Sequence, residues 1–463
     1  MSSISTIIDN LRENRWSISQ TNATERIKKL KNLRKHILEN REKIYQALRN
    51  DFQKNEVEIE LTEIQPAIAE INFCIKRLKK WMKPQKVKTP LRLMGTKSRL
   101  LYEAKGVVLI ISPWNYPFHL AIVPLISAVA AGNCVVLKPS EITCETSKLL
   151  QRLLSQVFLE NEVSVVEGDA SVAKELLTFS FDHVFFTGSS NIGKQVLAAT
   201  ANNLTSVTLE LGGKSPAIVD KTANIKKAAE RIVWGKFLNA GQTCVAPDYV
   251  FVDRKIQQQF CEAVMKTHEK FYGSAERPKI GNIVNTKHWQ RLRGILDEEK
   301  QRGAKILLGG FSDETERYFS PTVICGVSLD SPIMEQEIFG PILPIIFYDN
   351  IENVSDFIRK KDKPLAIYLF SQLRANIRHI ITNTTCGGTC INNVAIHLGN
   401  PYLPFGGVNT SGIGEYHGFF GFKTFSHGRS VLYQGRFSGL SFIYPPYNKW
   451  TEKLARSVTN IFS

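Results

Sequence analysis

Residues 107–141 read VVLIISPWNYPFHLAIVPLISAVAAGNCVVLKPSE. The opening run, 107–112, is short, branched and apolar without alternation, as a strand buried on both faces requires. Residues 118–131 are apolar all round and long enough for a helix sunk in a core. Residues 134–138 repeat the buried-strand pattern. Strand, helix and strand in so short a stretch define a parallel crossover unit, which is right-handed almost without exception.

The alternation continues toward the C-terminus. Helices are expected at 146–158, 171–177 and 192–201, and strands at 163–166 and 183–187. A second strand–helix series starts at Val207 and runs to about Asn392. The chain is therefore read as α/β, with parallel sheets whose ligands gather at the carboxyl ends of the strands. Toward the N-terminus, Ile27, Leu30, Leu33, Ile37, Ile44 and Leu48 recur at helical spacing, so 24–48 is expected to be one amphipathic helix. A second helix is expected at 58–82, kinked or interrupted at Pro66. Residues 86–103 read as a hairpin around Gly95-Thr96. Residues 393–425, rich in glycine, proline and aromatics, read as extended loops. The tail carries Tyr444-Pro445-Pro446-Tyr447. A helix follows, with Trp450, Leu454, Val458, Ile461 and Phe462, expected to dock on the body rather than on a membrane.

With 463 residues, 43% apolar and 22% charged, the chain can fill two or three domain cores and is not disordered. The formal charge is +16, yet the basic residues are spread, densest between Arg26 and Arg99, with no interleaved aromatics. Solvated faces are expected, not a nucleic-acid surface. Eight cysteines (Cys74, Cys134, Cys144, Cys244, Cys261, Cys325, Cys386, Cys390) are irregularly spaced without a Cys-x-x-Cys pair. That argues for free thiols in a reducing compartment and for no metal set. Residues 1–17 hold Asp9, Arg12, Glu13 and Arg15 instead of the apolar core of a secretion signal. The run 120–131 is too short to span a bilayer. A cytoplasmic location without a spanning segment is expected; peripheral membrane contact stays open.

Four expected strand ends carry polar residues: Pro113-Trp114-Asn115, Lys138-Pro139-Ser140-Glu141, Thr187-Gly188-Ser189 and Glu210-Leu211-Gly212-Gly213. In a parallel sheet they fall on one edge. Gly188-Ser189-Ser190-Asn191-Ile192-Gly193-Lys194 puts glycines at a helix start, which suits phosphate. It reads as a dinucleotide turn with unusual spacing, as an ordinary strand–helix turn, or as a P-loop. The P-loop needs Ser or Thr after the lysine, and Gln195 stands there. Lys138 and Glu141 suit ribose hydroxyls, and Glu141 would repel a 2′-phosphate; a solvated loop at a helix start is the other reading. Most cysteines are buried spectators. Cys244 differs in its setting, Asn239-Ala240-Gly241-Gln242-Thr243-Cys244, where Gly241 permits tight backbone geometry and nearby N–H groups suit an oxyanion.

Taken in order, Pro113-Trp114-Asn115, Lys138-Pro139-Ser140-Glu141, Phe186-Thr187-Gly188-Ser189, Leu209-Glu210-Leu211-Gly212-Gly213-Lys214, Gly241-Gln242-Thr243-Cys244 and Glu337-Ile338-Phe339-Gly340-Pro341 resemble the aldehyde dehydrogenase superfamily over roughly residues 100–425. Cys244-Val245-Ala246-Pro247-Asp248-Tyr249, Leu403-Pro404-Phe405-Gly406-Gly407, Tyr416-His417-Gly418 and the Tyr-Pro-Pro-Tyr tail resemble its class 3 branch, which takes fatty and aromatic aldehydes. Asn409-Thr410 departs from the usual glycine in its loop. Membrane-bound members continue into a spanning helix, whereas this chain stops at Ser463.

The resemblance implies a Rossmann-like cofactor domain (1–83 with 106–206), an α/β catalytic domain (207–392), a β-rich bridging arm (84–105 with 393–430) that builds a homodimer, and a tail (431–463). It implies NAD or NADP, with NAD favoured by Glu141, and oxidation of an aldehyde to a carboxylic acid. Cys244 is the implied nucleophile, Asn115 the oxyanion donor and Glu210 the base. Trp114, Lys138, Glu141, Thr187, Gly188, Ser189, Gly193, Glu337 and Phe339 are the implied cofactor contacts. Tyr416-His417 is expected to pack its loop, with lining of the entrance as the alternative. A P-loop nucleotide hydrolase and a catalytically silent protein of the same fold are the competing readings. An acyl-CoA-forming variant is disfavoured by the presence of Glu210.

Overall fold

The computed structural model describes residues 3–90, 93, 95–275, 277–436 and 444–462. Two parallel-type sheets organise it. In the first, the strands run in the order Gly412–Ile413, Ser206–Glu210, His183–Thr187, Val107–Ile111, Cys134–Lys138, Val163–Val165; the first is antiparallel to its neighbour and the rest are parallel. The strand 107–111 is fully buried, and its period-two geometry splits it between two cores. Val108 and Ile110 join the cluster under the helix His119–Ala131, while Val107, Leu109 and Ile111 join the cluster under the helix Ile4–Ser19. Each such aliphatic side chain contributes about 1.5–3 kcal/mol on burial.

Chain order reverses direction between 107–111 and its neighbour 183–187. That switch opens a crevice at the carboxyl edge of the sheet, the usual place for a ligand in this architecture. The second sheet runs Lys305–Leu308, Thr322–Cys325, Ile342–Tyr348, Tyr249–Asp253, Pro216–Val219, Ala366–Phe370, Gly388–Ile391, parallel apart from the first strand. Its own two cores lie one on each face. The amino ends of 249–253 and 342–348 meet the first sheet's carboxyl edge, so the loops that precede them, with Cys244 and Glu337, complete the crevice.

Several expectations need correction. Residues 24–48 are not one helix: Ala23–Glu39 and Arg41–Phe52 are separated at Asn40, whose amide donates to the His36 carbonyl (2.9 Å) and competes with the helix ladder. The helix at 58–82 starts at Glu56 and passes through a π turn, Glu60–Ile64, before Gln65–Trp81. Pro66 sits in the first turn of that last segment; a wider turn before it accommodates the missing N–H and the ring. The hairpin is also different. Gln85–Val87 pairs antiparallel with Thr96–Ala104 in the register Gln85↔Leu100. The other edge of Thr96–Ala104 pairs along its full length with Ser426–Gln434, from Ser426↔Ala104 to Gln434↔Thr96. Leu91 and Arg92 of the expected hairpin lie outside the described residues. Residues 393–425 are not all loop, since Gly418–Thr424 is helical. Of the tail helix, Lys449–Phe462, Trp450 is exposed; the side chains of Val458, Ile461 and Phe462 lie outside the described residues. No described helix is long and apolar enough to cross a membrane.

Candidate active site

The sheet register lines up the polar strand ends side by side. Lys138 is level with Ile111, Ile111 with Phe186, and Thr187 with Glu210. The Ser112 N–H donates to the Lys138 carbonyl (3.1 Å) and the Gly188 N–H to the Glu210 carbonyl (3.0 Å). At about 4.8 Å per strand, one edge of about 14 Å carries the four positions.

The Asn115 loop and the Cys244 loop are tied directly. Asn115 Nδ2 donates to the Gln242 carbonyl (3.2 Å), Asn239 Nδ2 donates to the Asn115 carbonyl (2.8 Å), and Tyr116 and Thr243 share a hydroxyl hydrogen bond of 2.6 Å. An amide has two N–H donors, so Asn115 keeps one for a substrate oxygen. The turn before Cys244 is unusual: Asn239, Ala240 and Gly241 are all left-handed (φ 53°, 52° and 74°). Gly241 is required twice over, because a Cβ there would also meet the Gly340 carbonyl at 2.2 Å. Gln242 fastens the turn to the body by donating to the Asn239 and Asn282 carbonyls and accepting from the Val284 N–H.

Cys244 is half-buried. Its thiol is pushed up to about 12, first by burial and then by the carboxylates of Glu337 and Glu210, so both acids stand close to the sulfur. Glu210 is 3% exposed, and neither of its carboxylate oxygens has a hydrogen-bond partner among the described residues. Burial, then the charge of Glu415, holds its carboxyl well above the usual range. A buried carboxyl left without partners is poised for a ligand or a water. Glu337 lies against the backbone at Gly212 and accepts from the Gly213 N–H. Burial and Asp248 push it up to about 8, against the opposing pull of Lys214 and Arg291. Lys214 pairs with Asp248 and donates to the Ile333 and Gln336 carbonyls, which fixes the loop leading into Glu337. Phe339, also left-handed (φ 47°), packs edge-on against Trp114 at 5.3 Å.

The remaining expected residues lie along the first sheet. Lys138 is buried and donates to the Pro139 carbonyl (2.8 Å) and to Glu141 (3.3 Å), whose side chain is partly exposed. Ser189 caps the helix Ser190–Ala201, and the Thr187 hydroxyl is buried without a partner among the described residues. Gly193 lies one turn inside that helix, where a Cβ would fall 2.7 Å from Leu211 Cδ2; close packing of helix on strand therefore accounts for it. Tyr416 is buried edge-on against Phe185 and Phe405, and His417 stacks on Phe405. Among the described residues no cluster of His, Cys, Asp and Glu suits a metal ion. The sequence marked Asn239, Gln242 and Tyr116 only as neighbours of Cys244 and Asn115; their contacts across the two loops, and the acidic residues Glu58 and Glu63 behind them, went unread.

A switch-point crevice of the dinucleotide type, the Asn115 loop tied to the Cys244 loop, and a buried carboxyl acting on the Cys244 thiol suit an oxidoreductase. The aldehyde dehydrogenase family profile matches residues 2–431, and the chain belongs to that family. It is 46% identical over 424 residues to 4,4'-diaponeurosporen-aldehyde dehydrogenase of Staphylococcus aureus, covering 91% of this chain and 92% of that one. It is 43% identical over 434 residues to the dimeric NADP-preferring aldehyde dehydrogenase of Rattus norvegicus, covering 93% and 95%. A solved structure described as the substrate-bound state of Staphylococcus aureus AldH superposes with a TM-score of 0.95 at 43% identity, covering 99% of this chain and all of that one. The chain is thus an enzyme that oxidises aldehydes with NAD or NADP. The nucleotide-hydrolase and silent-protein readings fall away.

Proposed function

We propose that Cys244 is the nucleophile, Asn115 the oxyanion donor and Glu210 the base in the oxidation of medium- or long-chain aliphatic, or aromatic, aldehydes to carboxylic acids. One observation carries this reading most: the Glu210 carboxyl, buried without a hydrogen-bond partner among the described residues, acts on the half-buried Cys244 thiol, and Asn115 is tied to the same loop through the Gln242 carbonyl. Cys244 Sγ bonds to the aldehyde carbon as its proton passes to Glu210. Asn115 Nδ2 and the Cys244 backbone N–H hold the resulting oxyanion. The bound nicotinamide supplies the acceptor for the hydride that leaves this carbon. Cys244 then carries a thioester. Glu210 gives its first proton up to solvent and then takes one from water as that water adds to the carbonyl. As the C–S bond breaks this proton returns to the Cys244 sulfur, and the acid leaves as carboxylate with its own proton passing to solvent.

The crevice suits a dinucleotide: the Ser190–Ala201 helix offers its positive end to phosphate, and the Thr187 hydroxyl has no partner among the described residues. In this reading Lys138 and Glu141 hold the adenine-side ribose, and Gly188 and Ser189 meet the pyrophosphate. Glu337 holds the nicotinamide ribose, with Phe339 and Trp114 packed beside it. Gly193 serves through its close packing. Glu141 favours NAD over NADP by repelling a 2′-phosphate. The cofactor domain takes 1–83 with 106–206 and is extended by the strand Ser206–Glu210, which the first sheet includes although the sequence division placed it in the catalytic domain (207–392). Residues 84–105 with 393–430 form an arm that builds a homodimer, while Gly412–Ile413 pairs with the first sheet. The enzyme is cytoplasmic, with peripheral membrane contact as the lesser alternative. The described side chains of the tail helix are mostly exposed, Trp450 among them, which does not bear out the docking on the body expected from the sequence. Cys244→Ala should abolish oxidation of hexanal and benzaldehyde while NAD binding persists, and paired titrations should show NAD bound more tightly than NADP. Retained turnover would refute the nucleophile, and much tighter NADP would refute the role of Glu141.

A further inference from the structure

Behind the two catalytic loops lies a buried ionic cluster. Lys54 Nζ pairs with Glu63 Oε1 at 2.9 Å, and both side chains are fully shielded from solvent. Glu58 stands beside them, close enough for Lys54 to draw its carboxyl down against the upward push of burial. Burying such charges costs desolvation, and apolar side chains of similar size serve stability as well or better. What the cluster holds is therefore the question.

It holds both loops. Glu63 Oε2 accepts the His119 N–H (2.9 Å), so it caps the helix His119–Ala131, whose own preceding residue, Phe118, provides no side-chain cap. Asn115 is four residues before that point. Glu58 Oε1 accepts the Asn239 N–H (2.7 Å) at the first of the three left-handed residues, and Asn239 in turn binds the Asn115 and Gln242 carbonyls. Lys54 Nζ lies 4.6 Å over the Tyr116 ring, and Tyr116 bonds to Thr243, the residue before Cys244. The π turn Glu60–Ile64 explains how one helix presents both acids. Residues five apart sit more than a third of a turn from each other on an α-helix, and the wider i to i+5 turn brings them toward one face.

We propose that Glu58 and Glu63, joined through Lys54, are positioning residues that hold the Asn115 amide in register with Cys244. Neither acid touches substrate; each acts through a loop backbone. The inference rests on the roles proposed above for Asn115 and Cys244.

The test compares the full chain with Glu58→Ala, Glu58→Gln, Glu58→Asp and Glu63→Gln, using hexanal with NAD. Hydrolysis of p-nitrophenyl acetate without cofactor, NAD binding and thermal unfolding are measured alongside. Glu58→Ala should lower kcat by about 10- to 100-fold, the scale of an ångström-sized misplacement, with KM and NAD affinity within about threefold. Ester hydrolysis should fall by a similar factor. Glu58→Gln retains an acceptor oxygen and should recover most of the rate, whereas the shorter Glu58→Asp should not. Should Glu58→Ala fail to fold, the Gln and Asp pair decides: equal rates overturn the proposal. Folded Glu58→Ala with wild-type kcat, or a loss that only follows the unfolded fraction, also overturns it. Asn115→Ala and Cys244→Ala serve as controls. If these retain turnover, the functional reading has failed; if they are dead while Glu58→Ala is active, only the positioning role has.

Discussion

A thiol pushed up to about 12 is neutral near pH 7, and burial favours the neutral form of the Glu210 carboxyl as well. Neither is reactive until a proton leaves the pair. The sign of the pH dependence follows. Glu210 works as a base only when ionised, so kcat should rise with pH through a limb set by its raised pKa, well above about 4.5. Glu210→Gln should remove that limb and slow turnover by about 10²- to 10⁴-fold. A wild-type limb near 4.5 in a pH–rate profile would contradict the assignment. At this scale the strand-end residues Asn115, Lys138, Thr187 and Glu210 were legible in the sequence because each follows a strongly apolar strand. The partners that hold them were not. Glu58 and Asn239 are separated by 181 residues, and nothing local in either segment announces the other.

Elements were readable wherever burial imposed a period. The parallel units from Val107 to Ala201 match the expected boundaries to within a few residues because both faces of each strand are covered. The helix Ile4–Ser19 was missed although Ser3 caps it and Ile8, Leu11 and Ile18 are its buried residues; the many polar residues between them mask the spacing. The strand Ser426–Gln434 is mostly exposed and has no alternating apolar pattern, so its partner defines it, not its composition. The turn before Cys244 is the element on which chemistry depends most. Gly241→Ala adds strain at a left-handed position and a clash with the Gly340 carbonyl. It should cost about 2–4 kcal/mol in stability and about 100-fold in kcat, checked by denaturant unfolding and steady-state rates. Wild-type values for both would show that the turn tolerates a side chain.

For the whole molecule, two sheets meet with the carboxyl edge of one facing the amino ends of strands in the other. The proposed base, Glu210, therefore ends a strand of one sheet while the proposed nucleophile, Cys244, lies in a loop of the other, and the proposed site needs both folded together. The arm sheet joins Thr96–Ala104 to Ser426–Gln434 across more than three hundred residues of sequence, and its outer strand is exposed along most of its length. A homodimer built on this arm should give a light-scattering mass of twice the 52.2 kDa chain mass, and a single-chain mass in dilute solution would contradict it. The most direct test of the catalytic account is the intact mass of Glu210→Gln after mixing with hexanal and NAD. The protein should gain one hexanoyl group, which peptide mapping places on Cys244, and should lose it slowly in water. An unmodified protein that still forms NADH, or an acyl group on another residue, would contradict the account.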